Sequence, residues 1–531
     1  MSHRYAVDSL VIRHGRCFGW GWFLDDRVRV VQSELRLPLR DGGEQTVACV
    51  PGGMRDDLRR AYPDVRHAAS AGFLVQGKLS GVLDPARHAQ LVVTLADGAV
   101  RYCEVSLIPP TASLVARLRG KLRQAGVRGV LGAAKRNVAE ALRAAASRYW
   151  LPVRLWGWRG TPVAVVFDHG MGGGANRFRH TLVDRLAPAG PVIVVSPVLD
   201  RMSHRVDVHH HGRSRQYDVP ALHGLLQRLS RLVLTMHVNE VVSFDDPLGL
   251  LDWFRSQRSR RGDEAAELVF YLHDYHSVCP AWTLINSSGS YCGVPDHSVC
   301  KGCLPANAAN TMGFTPGVAI PEWRAGWGAF LKDCDRIVAF SQASVDILAK
   351  GYPLLSHDKI LVQPHATDTS GLREVPLQSS RPLVIGVAGH ISAPKGALVL
   401  RDMAKRIREQ GLAVRIVVFG TLEHHDGEDG IEVLGAYQPG TLPDLLEEHR
   451  VGVCFLPSVC PETFSFVTSE LMAMRVPVAV FPIGAPAERV ADYDRGLVIS
   501  RIDAGVALDE ITAFAARFLR SAAATETRTG H

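Results

Sequence analysis

Residues 461–470 read PETFSFVTSE, with Glu462 and Glu470 closing the two ends of a stretch of hydroxyl-bearing and apolar residues. Apolar runs lie on both sides of it, VGVCFLPS (451–458) before and VPVAVFP (476–482) after. Short continuous apolar runs separated by helix-like segments mark buried strands of a parallel sheet. Residues 465–474 read as the helix between two such strands. Its first-turn amides, at Ser465, Phe466 and Val467, have no partner within the helix and would face an anion. Glu462 falls in the preceding loop and Glu470 inside the helix. Eight residues of continuous helix would hold the carboxylates about 12 Å apart, beyond the roughly 5–9.5 Å of a glycosidase acid/base pair. Two grips on one polyhydroxylated ligand fit better.

The same rhythm extends in both directions. Upstream, LVIGVAGH (383–390), VRIVVFG (414–420) and IEVLGAY (431–437) complete one α/β unit, expected over 376–505. Its first strand opens onto Gly389, His390 and Lys395, and a lysine there is well placed for a diphosphate. A helix and a polar tail, 506–531, follow. An earlier unit, expected over 160–375, carries VAVVFDH (163–169), VIVVSPV (192–198), LVLTMHV (232–238), LVFYLHD (268–274), RIVAFS (336–341) and ILVQPH (360–365). Gly170, Gly172, Gly173 and Gly174 follow its first strand, where small residues let backbone approach a ligand, and a helix is expected from about Ala175. His237, His273 and His365 sit at strand ends, the edge of an open α/β sheet that lines its crevice. The pair His273-Asp274 must be solvated or occupied there.

Residues 1–110 alternate with period two and turn at Asp41-Gly42 and Asp97-Gly98, the pattern of a small β-sandwich. The aromatic GWGWF (19–23) reads as core packing. A linker over 111–159 is helical in pattern, with eleven Lys or Arg from Arg117 to Arg159 against one acid, Glu140. That segment is a solvated connector or a surface for anionic lipid, with Trp150, Trp156 and Trp158 at its apolar end. The charge elsewhere is near balance, which argues against nucleic acid as a partner. The opening residues lack the apolar core of a secretory signal, so the expected location is the cytoplasm, with the basic segment able to meet the inner face of a membrane.

Of ten cysteines, six are scattered and four are spaced C-x12-C-x7-C-x2-C: Cys279, Cys292, Cys300 and Cys303. Four thiolates complete a tetrahedral zinc shell, so a structural zinc is expected in preference to disulfides.

GHISAPKG (389–396), followed by PETFSFVTSELMAMRVPV, resembles the Gly-x5-Lys-Gly and Glu-x7-Glu motifs of family 4 retaining glycosyltransferases. The glycine loop, the HDY strand end, Ser341 and the PH at His365 are similar to that family's N-terminal half. The run HDYHSVCP with its later cysteines looks like the bacterial enzymes that build surface polysaccharide. The resemblance spans about residues 160–520. It implies a GT-B fold, two Rossmann-like domains facing a cleft, preceded here by the β-sandwich. It also implies transfer of a sugar, with retention, from a nucleotide-sugar donor to a glycan or lipid-linked acceptor, with no catalytic cofactor. Donor contacts would come from Gly173, Gly174, Gly389, His390, Lys395, Glu462, Thr463, Ser465, Phe466, Val467 and Glu470. Glu470 would hold the ribose, Glu462 the transferred sugar, Lys395 and the helix amides the diphosphate, and His273 would face the anomeric centre. The family usually has Arg where this chain has His390; Arg475 and Arg489 are the cations that could compensate. A non-catalytic carbohydrate-binding or scaffolding protein of the same fold is the alternative.

Overall fold

The computed structural model describes residues 3–107, 149–259, 267–307, 318–376, 381–425 and 430–526, apart from single positions and one adjacent pair within these spans. The N-terminal domain is one antiparallel sheet of seven strands. In spatial order these are His3–Arg13, Arg16–Asp25, Gly72–Lys78, Glu44–Gly53, Val30–Pro38, Ala89–Leu95 and Val100–Val105. Cys17, Phe23, Leu35, Leu91 and Cys103, from strands across the sheet, share one core. The Tyr5 hydroxyl on the first edge strand donates to the Glu104 carbonyl on the last, at 3.0 Å. The two halves of the expected sandwich are therefore one sheet curled round on itself. GWGWF supplies the close approach this needs. A Cβ on Gly21 would stand 2.3 Å from the Ala6 carbonyl, and one on Gly19 2.5 Å from that of Ser9. Phe23 enters the core, whereas Trp22 packs on a smaller cluster with Leu24 and Leu58.

Most of the basic segment 111–159 lies outside the described residues, and with it the lipid-contact reading; its end is helical over 149–157. Among the described residues no helix is long and apolar enough to cross a membrane.

The second domain is built on an eight-stranded sheet. Its strands in order are Arg213–Val219, Ser203–His210, Val192–Val198, Pro162–Phe167, Val233–Val238, Leu268–Leu272, Arg336–Ala339 and Ile360–Val362. The six expected strands run parallel. The first two are an antiparallel hairpin that the apolar-run reading missed, because its buried residues Val206 and Val208 alternate with polar ones. Helix Gly173–Leu186 covers one face through Leu182 and Val183. Helices Pro247–Ser259 and Ile320–Asp333 cover the other, where Phe254 meets Phe167 edge-on at 4.8 Å.

The third domain has six parallel strands, in order Ile431–Gly435, Val414–Leu422, Leu383–Ile391, Val453–Leu456, Val478–Val480 and Gly496–Val498. The C-terminal helix Ala504–Glu526 is integral to it: Leu508, Ile511 and Phe514 share a core with Leu400 and Ile416. Two Rossmann-like domains thus face one another in a GT-B architecture, preceded by the small β domain. They are tied by polar contacts. Glu488, on helix Gly484–Ala491, accepts the N–H groups of Gln342 (3.2 Å) and Ala343 (2.6 Å) at the start of helix Gln342–Gly351. The carboxylate thereby satisfies donors that the helix leaves open and complements its dipole.

Candidate active site

The parallel strands of both α/β domains end on the same cleft. On the N-terminal side, Asp168 follows strand Pro162–Phe167 and has no solvent exposure. It is held by four donors: the His169 N–H (2.9 Å), Asn176 Nδ2 (2.6 Å), Arg179 (3.0 Å) and Asn239 Nδ2 (3.0 Å). Asn239 follows the next strand, and its Oδ1 accepts from His273 Nε2 at 2.9 Å. The buried carboxylate thus orients the amide, and the amide orients the imidazole. Burial first, then the neighbouring His365 and His169, hold the His273 pKa well below the ordinary imidazole value. The ring is neutral, carries its proton on Nε2 and leaves Nδ1 as the basic nitrogen. Sequence reasoning found His273 but not Asp168, Asn176, Arg179 or Asn239. The visible signal was a polar residue directly after each apolar run.

His237 and His365 do not join this chain of hydrogen bonds. His237 is buried against the Tyr271 hydroxyl (3.1 Å), and burial depresses its pKa to about 4. His365 stacks on Phe340 (3.7 Å between ring centres) and Phe466 (5.2 Å), and burial depresses its pKa to about 4 as well. Ser341 caps helix Gln342–Gly351, accepting from the Ser344 N–H.

Asp274 and Glu240 form a second carboxyl pair at these strand ends. Glu240 is buried, its Oε1 accepting the Val241 and Val242 N–H groups (2.8 and 3.0 Å), and it holds the proton shared with Asp274. Burial, then the charge of Asp274, pushes the Glu240 pKa well up; burial raises that of Asp274 to about 6. Raised pKa values mean that folding takes up protons. The stabilisation is complete below about pH 4, the unfolded carboxylate range, and is lost as pH rises through the folded values. Glu240→Gln keeps both a donor and an acceptor without a proton to take up. Denaturant unfolding is expected to show it more stable than wild type by on the order of 2 kcal/mol at about pH 8, with the gap closing near pH 4. Parallel pH profiles would contradict this.

On the C-terminal side, Lys395 and Glu462 meet: Nζ lies 2.5 Å from Oε2. Burial works against the lysine's charge, but the facing carboxylate more than offsets it and the lysine pKa is raised. Glu462 also accepts the Ser458 hydroxyl. Gly396 (φ +91°) is required here, since a Cβ would fall 2.1 Å from the Pro457 carbonyl. Helix Phe466–Ala473 starts one residue later than expected, with Ser465 as its N-cap at φ +145°, a conformation a serine rarely adopts. Glu470 lies within it, its pKa raised by burial despite nearby Arg177. Thr463 ties the loop to the opposite domain, its hydroxyl donating to the His273 carbonyl at 2.7 Å.

The glycine loop also reaches this point. Helix Gly173–Leu186 begins two residues earlier than expected, and a Cβ on Gly174 would sit 3.2 Å from the Phe466 ring. The next turn of this helix lays Arg177 over Phe466 at 4.8 Å, a cation at the mouth of the cleft that the sequence reading did not single out. Gly389, at φ +117°, lies two residues before the end of strand Leu383–Ile391, where a Cβ would stand 4.0 Å from Val467. His390 turns aside, bonding Thr421 Oγ1 (2.6 Å) and standing 3.7 Å from Glu423. Neither suggested substitute is idle. Arg475 is bidentate to Asp494 (2.8 and 2.7 Å), and Arg489 donates to the Ser465 carbonyl (3.2 Å) and Ser469 hydroxyl (2.7 Å), bracing the helix start.

Cys279, Cys292, Cys300 and Cys303 lie along one loop and helix beside this cleft. Cys303 accepts the Ser287 N–H (3.3 Å) and Asn307 Nδ2 (3.6 Å). Among the described residues no three His, Cys, Asp or Glu side chains are gathered as a metal cage.

Residues 382–518 match the family model of the glycosyl transferases group 1. That span covers the third domain, which is therefore similar to this family; the match does not extend to the two domains before it. No curated protein matches the chain. Solved structures similar to it include Anabaena Alr3699/HepE in complex with UDP and glucose, at 15% identity and a TM-score of 0.40 over 66% of this chain and 89% of that one. Another is a glycosyltransferase from Rickettsia africae ESF-5, at 13% identity and 0.41 over 66% and 87%. A third is the pneumococcal O-GlcNAc transferase GtfA in complex with UDP and GlcNAc, at 12% and 0.34 over 60% and 57%.

Proposed function

We propose that the protein transfers a sugar, with retention, from a nucleotide-sugar donor to a glycan or lipid-linked acceptor in surface-polysaccharide assembly. One observation carries the reading: Lys395, Glu462 and the start of helix Phe466–Ala473 converge opposite the oriented, neutral His273. In this reading Lys395 and the first-turn amides neutralise the departing diphosphate, where charge develops as the glycosidic bond breaks. Glu462 and Glu470 accept hydroxyls of the sugar and ribose. Arg177 supplies, from the other domain, the second cation that His390 does not. Titration of UDP, GDP, ADP and CDP by calorimetry tests the donor half. At least one should bind the wild type, and Glu470→Ala should weaken it about tenfold, the loss of one good hydrogen-bonded pair. Equal binding to both proteins, or none to either, would sink the assignment.

The turned-aside His390 favours a second reading, a carbohydrate-binding protein that retains the fold without transfer. Hydrolysis of a nucleotide-sugar by the purified chain would exclude it.

A zinc ion shared by the four cysteines is proposed as a staple of the loop carrying them. Burial pushes the Cys279 thiol up to about 12 and raises that of Cys292, only partly offset by the backbone N–H groups of Ala281 and Val294, so the charge of a bound ion would have to stabilise the thiolates; Cys303 accepts two more donors. Metal analysis should give about one zinc per chain, and a content below about a tenth would contradict it.

A further inference from the structure

A cavity of about 360 Å³ lies between the N-terminal β domain and the first α/β domain, separate from Lys395 and Glu462. Its size falls within the range of about 300–1,000 Å³ typical of small-ligand sites. The walls come from the carboxyl end of strand Val192–Val198, the start of strand Ser203–His210 and the loop around Ser243 and Asp245 that follows strand Val233–Val238. Asn239, which holds His273, is four residues before Ser243 in this wall. The β domain contributes Arg16, the first residue of its second strand, which forms an ion pair with Asp245 across the domain boundary.

Two side chains lining this cavity each bury a polar atom that has no hydrogen-bond partner among the described residues. His204 is 7% exposed with Nδ1 unbonded, and Ser243 is 2% exposed with Oγ unbonded. A buried polar atom left unpaired costs about 1–3 kcal/mol, so two in one cavity point to a ligand that pairs them. Burial keeps the His204 ring neutral despite Asp245, so it offers a hydrogen bond and no charge. Asp245 and Asp246 accept hydrogen bonds and repel anions, although Asp246 is partly occupied by the Gly249 N–H (3.0 Å). Arg16 donates. Leu199, Leu226 and Leu250 form apolar wall between these groups. Donors and acceptors of both kinds over an apolar floor suit a sugar ring, with hydroxyls at its rim and C–H groups on its face.

We propose that this cavity is a carbohydrate subsite for the acceptor, completed by the β domain through Arg16. The proposal rests on the glycosyltransferase reading for its purpose, but the binding is separately measurable. The β domain is then part of acceptor recognition. Its side of the cavity is supplied by a residue outside both α/β domains.

Saturation-transfer NMR with glucose, galactose, mannose, rhamnose, N-acetylglucosamine and lactose tests it on the full chain. At least one sugar should give a signal in the wild type. That signal should fall at least about threefold in Ser243→Ala and in Arg16→Ala, with nucleoside-diphosphate binding unchanged. Ser243→Ala removes a hydroxyl that has no hydrogen-bond partner among the described residues, so its fold is expected to be intact. No signal from any sugar, or one equal in both variants, overturns the proposal. So does a signal abolished by Glu462→Ala and untouched by the cavity variants, which would place the sugar in the donor site. Absence of nucleotide binding in the wild type, by contrast, speaks against the donor reading and leaves the sugar result standing.

Discussion

Lys395→Ala is expected to lower kcat by about 10²–10³, the usual loss when one preorganised charge is removed from a developing anion. The lysine is also the partner of Glu462 at 2.5 Å, so its loss has two parts. In the proposed reading the diphosphate would lose a facing cation, and the carboxylate that would grip the sugar would lose the group that orients it. Lys395→Arg separates them, since it keeps a charge for Glu462 but replaces a compact ammonium by a planar fork. Recovery of binding without recovery of kcat in the arginine variant would assign the lysine to the transition state. A drop of less than about threefold in the alanine variant would remove Lys395 from the chemistry altogether.

Asp168→Ala should cost the largest amount of stability of any substitution considered, about 3–5 kcal/mol. The carboxylate is fully buried and accepts four hydrogen bonds, one from Arg179, whose side chain is only 11% exposed. Removing it strands that guanidinium with no counter-charge there and leaves each asparagine amide only its backbone acceptor, the His169 carbonyl for Asn176 and the Ala175 carbonyl for Asn239. Urea unfolding measures the cost. A loss below about 1 kcal/mol would show that the cluster is solvated and carries no structural weight. Because Asn239 links Asp168 to His273, any surviving variant should also lose alignment of the imidazole and lower kcat more than it raises KM.

The fold was legible because parallel strands buried on both faces advertise themselves as unbroken apolar runs. VAVVF, LVFYL and LVIGVAG needed no partner to be recognised. The hairpin Ser203–Val219 escaped for the opposite reason: it sits at the sheet edge, and its alternating residues resemble a solvated loop. The curl of the β domain was also hidden, since alternation fixes which residues face inward but not whether one sheet or two enclose them. In the site, Lys395, Glu462, Glu470 and His273 were visible as polar residues at strand ends and helix starts. Their mutual arrangement was not. Asp168 and Asn239 become a network only when two strands distant in sequence lie side by side. Arg177 became visible as a site residue only once the Gly174 turn was seen to bring its helix against Phe466.

Under the proposed function, the Lys395–Glu462 pair bears on which anions the cleft accepts. A solitary lysine at the head of a phosphate site would collect whatever anion is abundant, inorganic phosphate included, and spend much of its time blocked. Here the cation is already answered by a carboxylate, so the resting cleft is electrically quiet. A ligand dislodges that internal partner only by offering two things together, negative charge for the lysine and hydroxyls for the glutamate. In the proposed reading the site would discriminate by demanding both at once, and a sugar joined to a diphosphate is a molecule that brings both.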